Sequence, residues 1–139
     1  MNNQQKIMKA MREVSLPGEM WKQIPFAPEY YASSEGRIFT TKKSKNRIKK
    51  LDYWTSKKYA KVGLTINGSE DKFYLHHIIA ELFCYGAAPQ TDPKHTREIH
   101  HIDGNRYNNR ADNLAFVPPH YHRAIITPLV RAKNKNKTE

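Results

Sequence analysis

Glu98-Ile99-His100-His101-Ile102-Asp103-Gly104-Asn105, then Asp112-Asn113-Leu114, then Pro119-His120-Tyr121-His122 decide the reading of this chain. Arg97 to Ile102 reads as a short strand. Asp103 to Asp112 is a long Asn-rich loop whose Asp-Gly-Asn start is turn chemistry. Leu114 to Val117 reads as a second short strand. A proline at 118 or 119 then stands where a helix start tolerates it, and Tyr121 to Leu129 supplies the helix, broken near Pro128. The order strand, loop, strand, helix is compact. It brings His100, His101, Asn113 and His122 into one neighbourhood.

Those four residue types at that spacing carry chemistry. Successive side chains on a strand point to opposite faces, so His100 and His101 face different ways. One can hold a divalent cation while the other takes a proton from water near neutral pH. His122 closes the cation site. Asn113, which has both donors and an acceptor, pins the 103–112 loop and thereby orients His101. Arg97 shares parity with His101 and can touch the phosphate under attack. Chance is a real alternative for adjacent histidines, since His76-His77 is a second pair. It fails the spacing test. Twelve positions after His77 is Pro89 and 21 after it is Glu98, whereas the same steps from His101 reach Asn113 and His122. His76 and His77 are read as packing or phosphate-contact residues, and His120 as the lesser partner of the His-x-His pair. Asp103 is read as a turn residue.

Composition says what the substrate is made of. The 139 residues carry 24 Lys and Arg against 13 Asp and Glu, a formal +11 with a pI near 9.8, which points to a polyanionic partner. The charge is clustered. Arg37, Lys42, Lys43, Lys45, Arg47, Lys49, Lys50, Lys57, Lys58 and Lys61 face a single acid, Asp52, so 25 positions hold +9 of the +11. Aromatics interleave this run at Phe39, Tyr53, Trp54 and Tyr59. Phe39 is expected in the core. The run reads either as a solvated face or as a two-stranded ribbon, which fits the major groove with Lys and Arg on its flanks contacting phosphates. Arg123 joins the same nucleic-acid-binding set. The single cysteine, Cys84, excludes an internal disulfide and a CxxC zinc ribbon, and it is read as a packing residue. No run is apolar enough to cross a membrane and Met1 to Ala10 lacks a signal core, so a soluble, cytoplasmic protein is expected.

Upstream, residues 1–17 read as a polar segment or short helix, with Ile7, Met11 and Val14 on one face and Pro17-Gly18 ending it. Residues 18–75 read as a β-rich basic region. Ser33-Ser34-Glu35-Gly36 is a turn before the strand Arg37–Thr40. Asn67-Gly68 closes a hairpin between a strand ending at Ile66 and one containing Phe73 to Leu75. His76 to Phe83 reads as a helix with Ile78, Ile79, Leu82 and Phe83 in one stripe. Residues 76–127 make the module that holds the histidines, and 128–139 a basic flexible tail.

The motif His100, His101-Ile102-Asp103-Gly104-Asn105, Asn108-Asn109, Asn113-Leu114, His122 resembles the HNH nucleases of the ββα-metal fold, most closely the homing-type endonucleases carried by phages. The helix Leu75 to Phe83 resembles the segment that precedes the motif in them. Trp21-Lys22-Gln23-Ile24, Tyr30 and Ser33-Ser34-Glu35-Gly36-Arg37-Ile38 resemble a small modular motif often fused to such nucleases and thought to help bind DNA. The resemblance implies an α+β protein, an N-terminal antiparallel β region followed by a ββα-metal module. It also implies a metal-dependent DNA endonuclease with His101 as general base and His100 and His122 as metal ligands. Members often have aspartate at the position of His100 and asparagine at that of His122. Two imidazoles widen the expected metal from Mg²⁺ or Mn²⁺ toward Ni²⁺ or Zn²⁺. The expected partner is double-stranded DNA, bound by a monomer that nicks or a homodimer that cuts both strands. The competing readings are a DNA-binding protein that keeps the fold as a scaffold, and a nuclease with little sequence preference.

Overall fold

A computed structural model of the chain describes residues 1–42, 47–53, 59–84 and 98–117. The first element is α1 (Asn3–Val14), opened by a capping box in which the Asn2 side chain accepts from the Gln5 amide and the Gln5 side chain accepts from the Asn2 amide. Its apolar face, Ile7, Met11 and Val14, is the one expected from the spacing of those residues, and it packs on a sheet. That sheet is antiparallel, in the order β1 (Trp21–Ile24), β2 (Ala27–Ser33), β3 (Ile38–Thr40).

Alternation along β2 and β3 divides the interior in two. Tyr31 and Phe39 point to one face and join Met11 under α1, with Trp21 and Ile48 at the margin. Tyr30, Ala32 and Ile38 point to the other and enter the main core. Both sheet faces are therefore covered, which explains why the strands are almost continuously buried. Phe39 is fully buried, as its surroundings in the basic run suggested.

The hairpin β4 (Lys61–Ile66) and β5 (Ser69–Tyr74) turns at Asn67-Gly68, both with positive φ (52° and 81°), the requirement of a two-residue type I′ turn. It contributes Val62 and Leu64 to the main core. The helix α2 (Leu75–Phe83) follows without a break and buries Leu75, Ile78, Ile79 and Ala80 in the same core. A second hairpin, β6 (Glu98–His101) with β7 (Leu114–Val117), pairs His100 with Ala115 and His101 with Leu114, and Leu114 closes the core. One core thus runs from Ile24 to Leu114, across the β-rich stretch and the residues after it. The result is a mixed helix-and-strand protein with antiparallel strands, as expected. No helix among the described residues is long and apolar enough to cross a membrane.

Only part of the basic run lies within the described residues. There β3 is the third strand of the sheet, and residues 47–49 run antiparallel beside it: the Thr40 amide donates to the Arg47 carbonyl (2.8 Å) and the Lys49 amide to the Ile38 carbonyl (2.7 Å), on either side of the Phe39–Ile48 bridge. Asp52 and Lys61 exchange backbone hydrogen bonds of 2.7 and 2.9 Å. Phe39 and Ile48 both pack against the α1 face, which ties the chain at Ile48 to the sheet. The expected helix from Tyr121 to Leu129 lies outside the described residues.

Candidate active site

The loop between β6 and β7 is built from side chains that replace a regular ladder. Asp103 accepts the Asn105 amide at 2.7 Å, and Asn105 accepts the Tyr107 amide at 3.0 Å. These are successive Asx turns, which is why the loop is rich in Asn and Asp. Asn113 sits in a single 3-10 turn, Ala111–Asn113, and is buried. Its Nδ2 donates to Asp103 Oδ1 (2.9 Å) and to the Asn108 carbonyl (2.8 Å), while its Oδ1 accepts the Asp103 amide (3.0 Å). Every hydrogen-bonding position of the amide is used to hold the loop.

His101 lies at the end of β6 and is 6% exposed. Its Nε2 is 2.9 Å from Asn109 Oδ1. A carbonyl oxygen only accepts, so Nε2 carries the hydrogen and Nδ1 keeps its lone pair as the proton-accepting nitrogen. Burial pushes the His101 pKa below the usual imidazole value. The Asn109 bond and Asp103 oppose that push, and Arg106 adds to it. The imidazole is therefore neutral, and able to act as a base, over a wider range of pH than a free histidine.

Sequence reasoning singled out Asn113 by its spacing. It quoted Asn109 only as part of the Asn108-Asn109 dipeptide, and Asn109 is the side chain that touches the His101 ring. No local pattern separates those two asparagines; which of them reaches the ring depends on where the loop crosses the core. Two further residues were underrated. Tyr59 stacks on His76 (centroids 4.5 Å apart, 29° between planes) and lies along His101 (6.0 Å, 22°), and His76 is 5.3 Å from His101. His76, from the pair that fails the metal spacing, thus lines the back of the site.

His76 is buried, and among the described residues its Nδ1 has no hydrogen-bond partner. Burial first, then the neighbouring His77 and His101, push its pKa down to about 3. A depressed folded-state value has a definite sign. Above the unfolded value of 6.5 neither state binds the proton. As pH falls from 6.5 toward 3 the unfolded chain takes up a proton that the folded chain refuses, and stability drops by up to about 1.4 kcal/mol per pH unit. Urea midpoints measured from pH 7 to pH 4.5 should fall steeply for the native chain. They should fall less for His76→Phe, which keeps a ring against Tyr59; equal slopes would assign the acid sensitivity to other groups.

The remaining expected site residues are distributed unevenly. His100 stands beside His101 on β6, partly exposed. Arg37 is held by Glu19, donates from Nη2 to the Val14 carbonyl (2.7 Å) and lies over the Trp21 ring, so its charge is engaged in joining α1 to the sheet. Lys42 pairs with Glu29 (3.1 Å) and donates to the Thr65 carbonyl (2.9 Å). Arg47 lies over the Phe39 ring, Lys49 is partly buried, and Lys50 is exposed. Arg97, His122, Arg123, Lys43, Lys45, Lys57 and Lys58 lie outside the described residues, as does His120.

The turn Ser33–Gly36 reaches the same loop from the other side. The Ala111 amide donates to the Ser34 carbonyl (2.9 Å), Glu35 pairs with Arg110, and the Gly36 backbone lies directly against that of Asn109. The stretch that resembles a DNA-binding module is therefore, at this turn, a buttress for the loop between β6 and β7.

Residues 73–124 match the family model described as HNH endonuclease. Over that segment the chain is similar to HNH endonucleases. It is 29% identical over 97 residues to an uncharacterized HNH endonuclease of Acanthamoeba polyphaga mimivirus, an alignment that takes in 70% of this chain and 26% of the viral protein. Its fold is similar to that of the HNH homing endonuclease I-HmuI, solved in work on DNA binding and cleavage by that enzyme. The TM-score is 0.64 at 24% identity, over 86% of this chain and 64% of the other. The chain thus spans about a quarter of the viral relative. The HNH segment contains α2, β6, the Asn-rich loop and β7, and so every residue described above around His101 except Tyr59 and the Ser33–Gly36 turn.

The fold family implies a divalent cation. In donor chemistry His100 fits one, as a partly exposed imidazole next to buried His101. Among the described residues no group of three His, Cys, Asp or Glu side chains could hold a metal. A cation at His100 would need its further ligands from His122, from water or from substrate oxygens.

Proposed function

We propose that this protein is a DNA endonuclease that hydrolyses phosphodiester bonds, with His101 as the general base. The observation that carries the reading is the buried His101–Asn109 pair at the end of β6 within the HNH segment. The Asn109 bond fixes the ring and leaves Nδ1 to accept a proton, and burial holds the His101 pKa below the usual imidazole value. A scaffold protein has no use for such a base. Water deprotonated at His101 attacks phosphorus in line, and the bond to the 3′-oxygen breaks, leaving 5′-phosphate and 3′-hydroxyl ends. Asn113 holds the loop that carries Asn109, so it acts on the base indirectly. His100 and His122 are the residues that would hold a divalent ion, Mg²⁺ or Mn²⁺ first and Ni²⁺ or Zn²⁺ next. When bound, the ion would offset charge on the phosphate and the leaving oxygen. One such site cuts one strand, so a monomer nicks and a homodimer cuts both. The +11 chain favours double-stranded DNA as the substrate.

Conversion of supercoiled plasmid to open circles, with and without EDTA across several divalent ions, tests the reading. No nicking under any of these conditions would overturn it. The metal assignment has its own test by calorimetry. His100→Ala and His122→Ala should each weaken metal binding and cleavage together, with partial rescue at excess metal, and His120→Ala should do much less. Loss of binding in His120→Ala with retention in His122→Ala would reverse the choice of ligand.

A further inference from the structure

The arginines and lysines near the site mostly have their charge answered. Glu19 holds Arg37, Glu35 and Asp112 hold Arg110, and Glu29 holds Lys42. Arg106, in the loop after β6, is exposed and makes no ion pair among the described residues. Its guanidinium lies over the Tyr59 ring, 5.6 Å from the centroid. That ring also runs along His101 and is anchored on buried His76. An unpaired guanidinium is thus aimed by the same phenol that borders the base. In the same loop Ile102 and Tyr107 are exposed, and Tyr107 meets Tyr53 edge to face at 5.4 Å. The two-pronged fork of arginine matches phosphate oxygens, and an exposed aromatic pair is a surface for a sugar or a base.

We propose that Arg106, set in place by Tyr59, binds a backbone phosphate beside the scissile one, with Tyr107 and Tyr53 covering the adjoining nucleoside. This rests on the endonuclease reading, and it assigns to the site an anchor for the strand being cut. Arg106 touches substrate; Tyr59 is a positioning residue. A cation lies over phenylalanine as it does over tyrosine, so the placement of Arg106 needs the ring of residue 59.

Two measurements on the full chain test it. In EDTA, where no cleavage occurs, binding to a short duplex is followed by anisotropy against salt. Arg106→Gln should weaken binding and flatten the slope of log K against log salt by about 0.9, the value for one lost phosphate contact. In nicking assays the same variant should lose about 10- to 100-fold in kcat/KM, as for a missing charge-assisted hydrogen bond, and Arg106→Lys should fall between. Tyr59→Phe, which keeps a ring under Arg106, should retain more of the native salt slope and rate than Tyr59→Leu. Tyr59→Leu should reproduce part of the Arg106→Gln loss, and the double variant should lose no more than Arg106→Gln alone. Additive losses, or an unchanged salt slope in Arg106→Gln, would overturn the proposal. If the native chain nicks no DNA, the endonuclease reading falls by itself, and the EDTA binding series still decides whether Arg106 holds a phosphate. Arg106 is a surface residue, so its variants should melt like the native chain.

Discussion

His101→Ala is expected to abolish nicking and to leave duplex affinity nearly unchanged. The expected loss is about 10²–10⁴-fold in rate, the usual contribution of a general base. Affinity is spared because the buried ring contributes to the barrier and not to holding phosphates in the ground state. The pH dependence carries the sign of the assignment. Burial holds the His101 pKa below 6.5 in the folded chain. The neutral, active form therefore fills as pH rises through that lowered value, and the rate should level off before pH 7. A rate that continues to climb above pH 7 in proportion to hydroxide would point to a different base. Near-native turnover by His101→Ala would exclude the role outright. Single-turnover rates from pH 5 to pH 8 on one plasmid supply both readings.

The parts of this site that were legible beforehand share a property: their signal is local. The Asn67-Gly68 turn, the helix from His76 to Phe83 and the strand at His100-His101 each depend on a few adjacent residues, and each is present in the structure within a residue or two. The role of Asn113 in pinning the loop also followed from local chemistry, since a buried amide beside an Asp-Gly-Asn turn has many backbone partners within reach. What was not legible is what only packing decides. Tyr59 could face DNA or the interior, and its stacking on His76 required the start of α2 to be tied beside it, as the Leu75 amide is to the Ala60 carbonyl. Arg37 read as part of a basic patch because charge counting ignores a partner 18 residues away, Glu19. The basic run is a similar case: a run dense in lysine still contains Phe39 and Ile48, and these two are bridged to each other and packed with Met11 and Tyr31.

Gly36→Ala joins the N-terminal sheet to the chemistry, and its effect is expected to be large on both stability and rate. Gly36 has φ +79°, a conformation that costs an L-residue about 1–2 kcal/mol. A Cβ there would also stand 2.7 Å from the Asn109 carbonyl oxygen and 2.9 Å from its carbonyl carbon. These are backbone atoms, so no side-chain rotation relieves the contact, and such overpacking adds about 1–3 kcal/mol. Asn109 is the residue whose side chain holds His101, and the Ser34–Ala111 hydrogen bond and the Glu35–Arg110 pair stop the turn from simply moving away. The strain should therefore be relieved by displacing Asn109, which loosens the base. Gly18→Ala supplies the control. Gly18 has nearly the same φ, +76°, with nothing within 4 Å of an added Cβ, and it lies in the link between α1 and β1. It should show the conformational cost alone and keep the native cleavage rate. Urea denaturation should separate the two variants by the cost of the Asn109 contact. Single-turnover nicking, at a temperature where both are folded, should be slowed only in Gly36→Ala. Equal stability losses and equal rates would mean that the turn and the catalytic loop merely lie side by side.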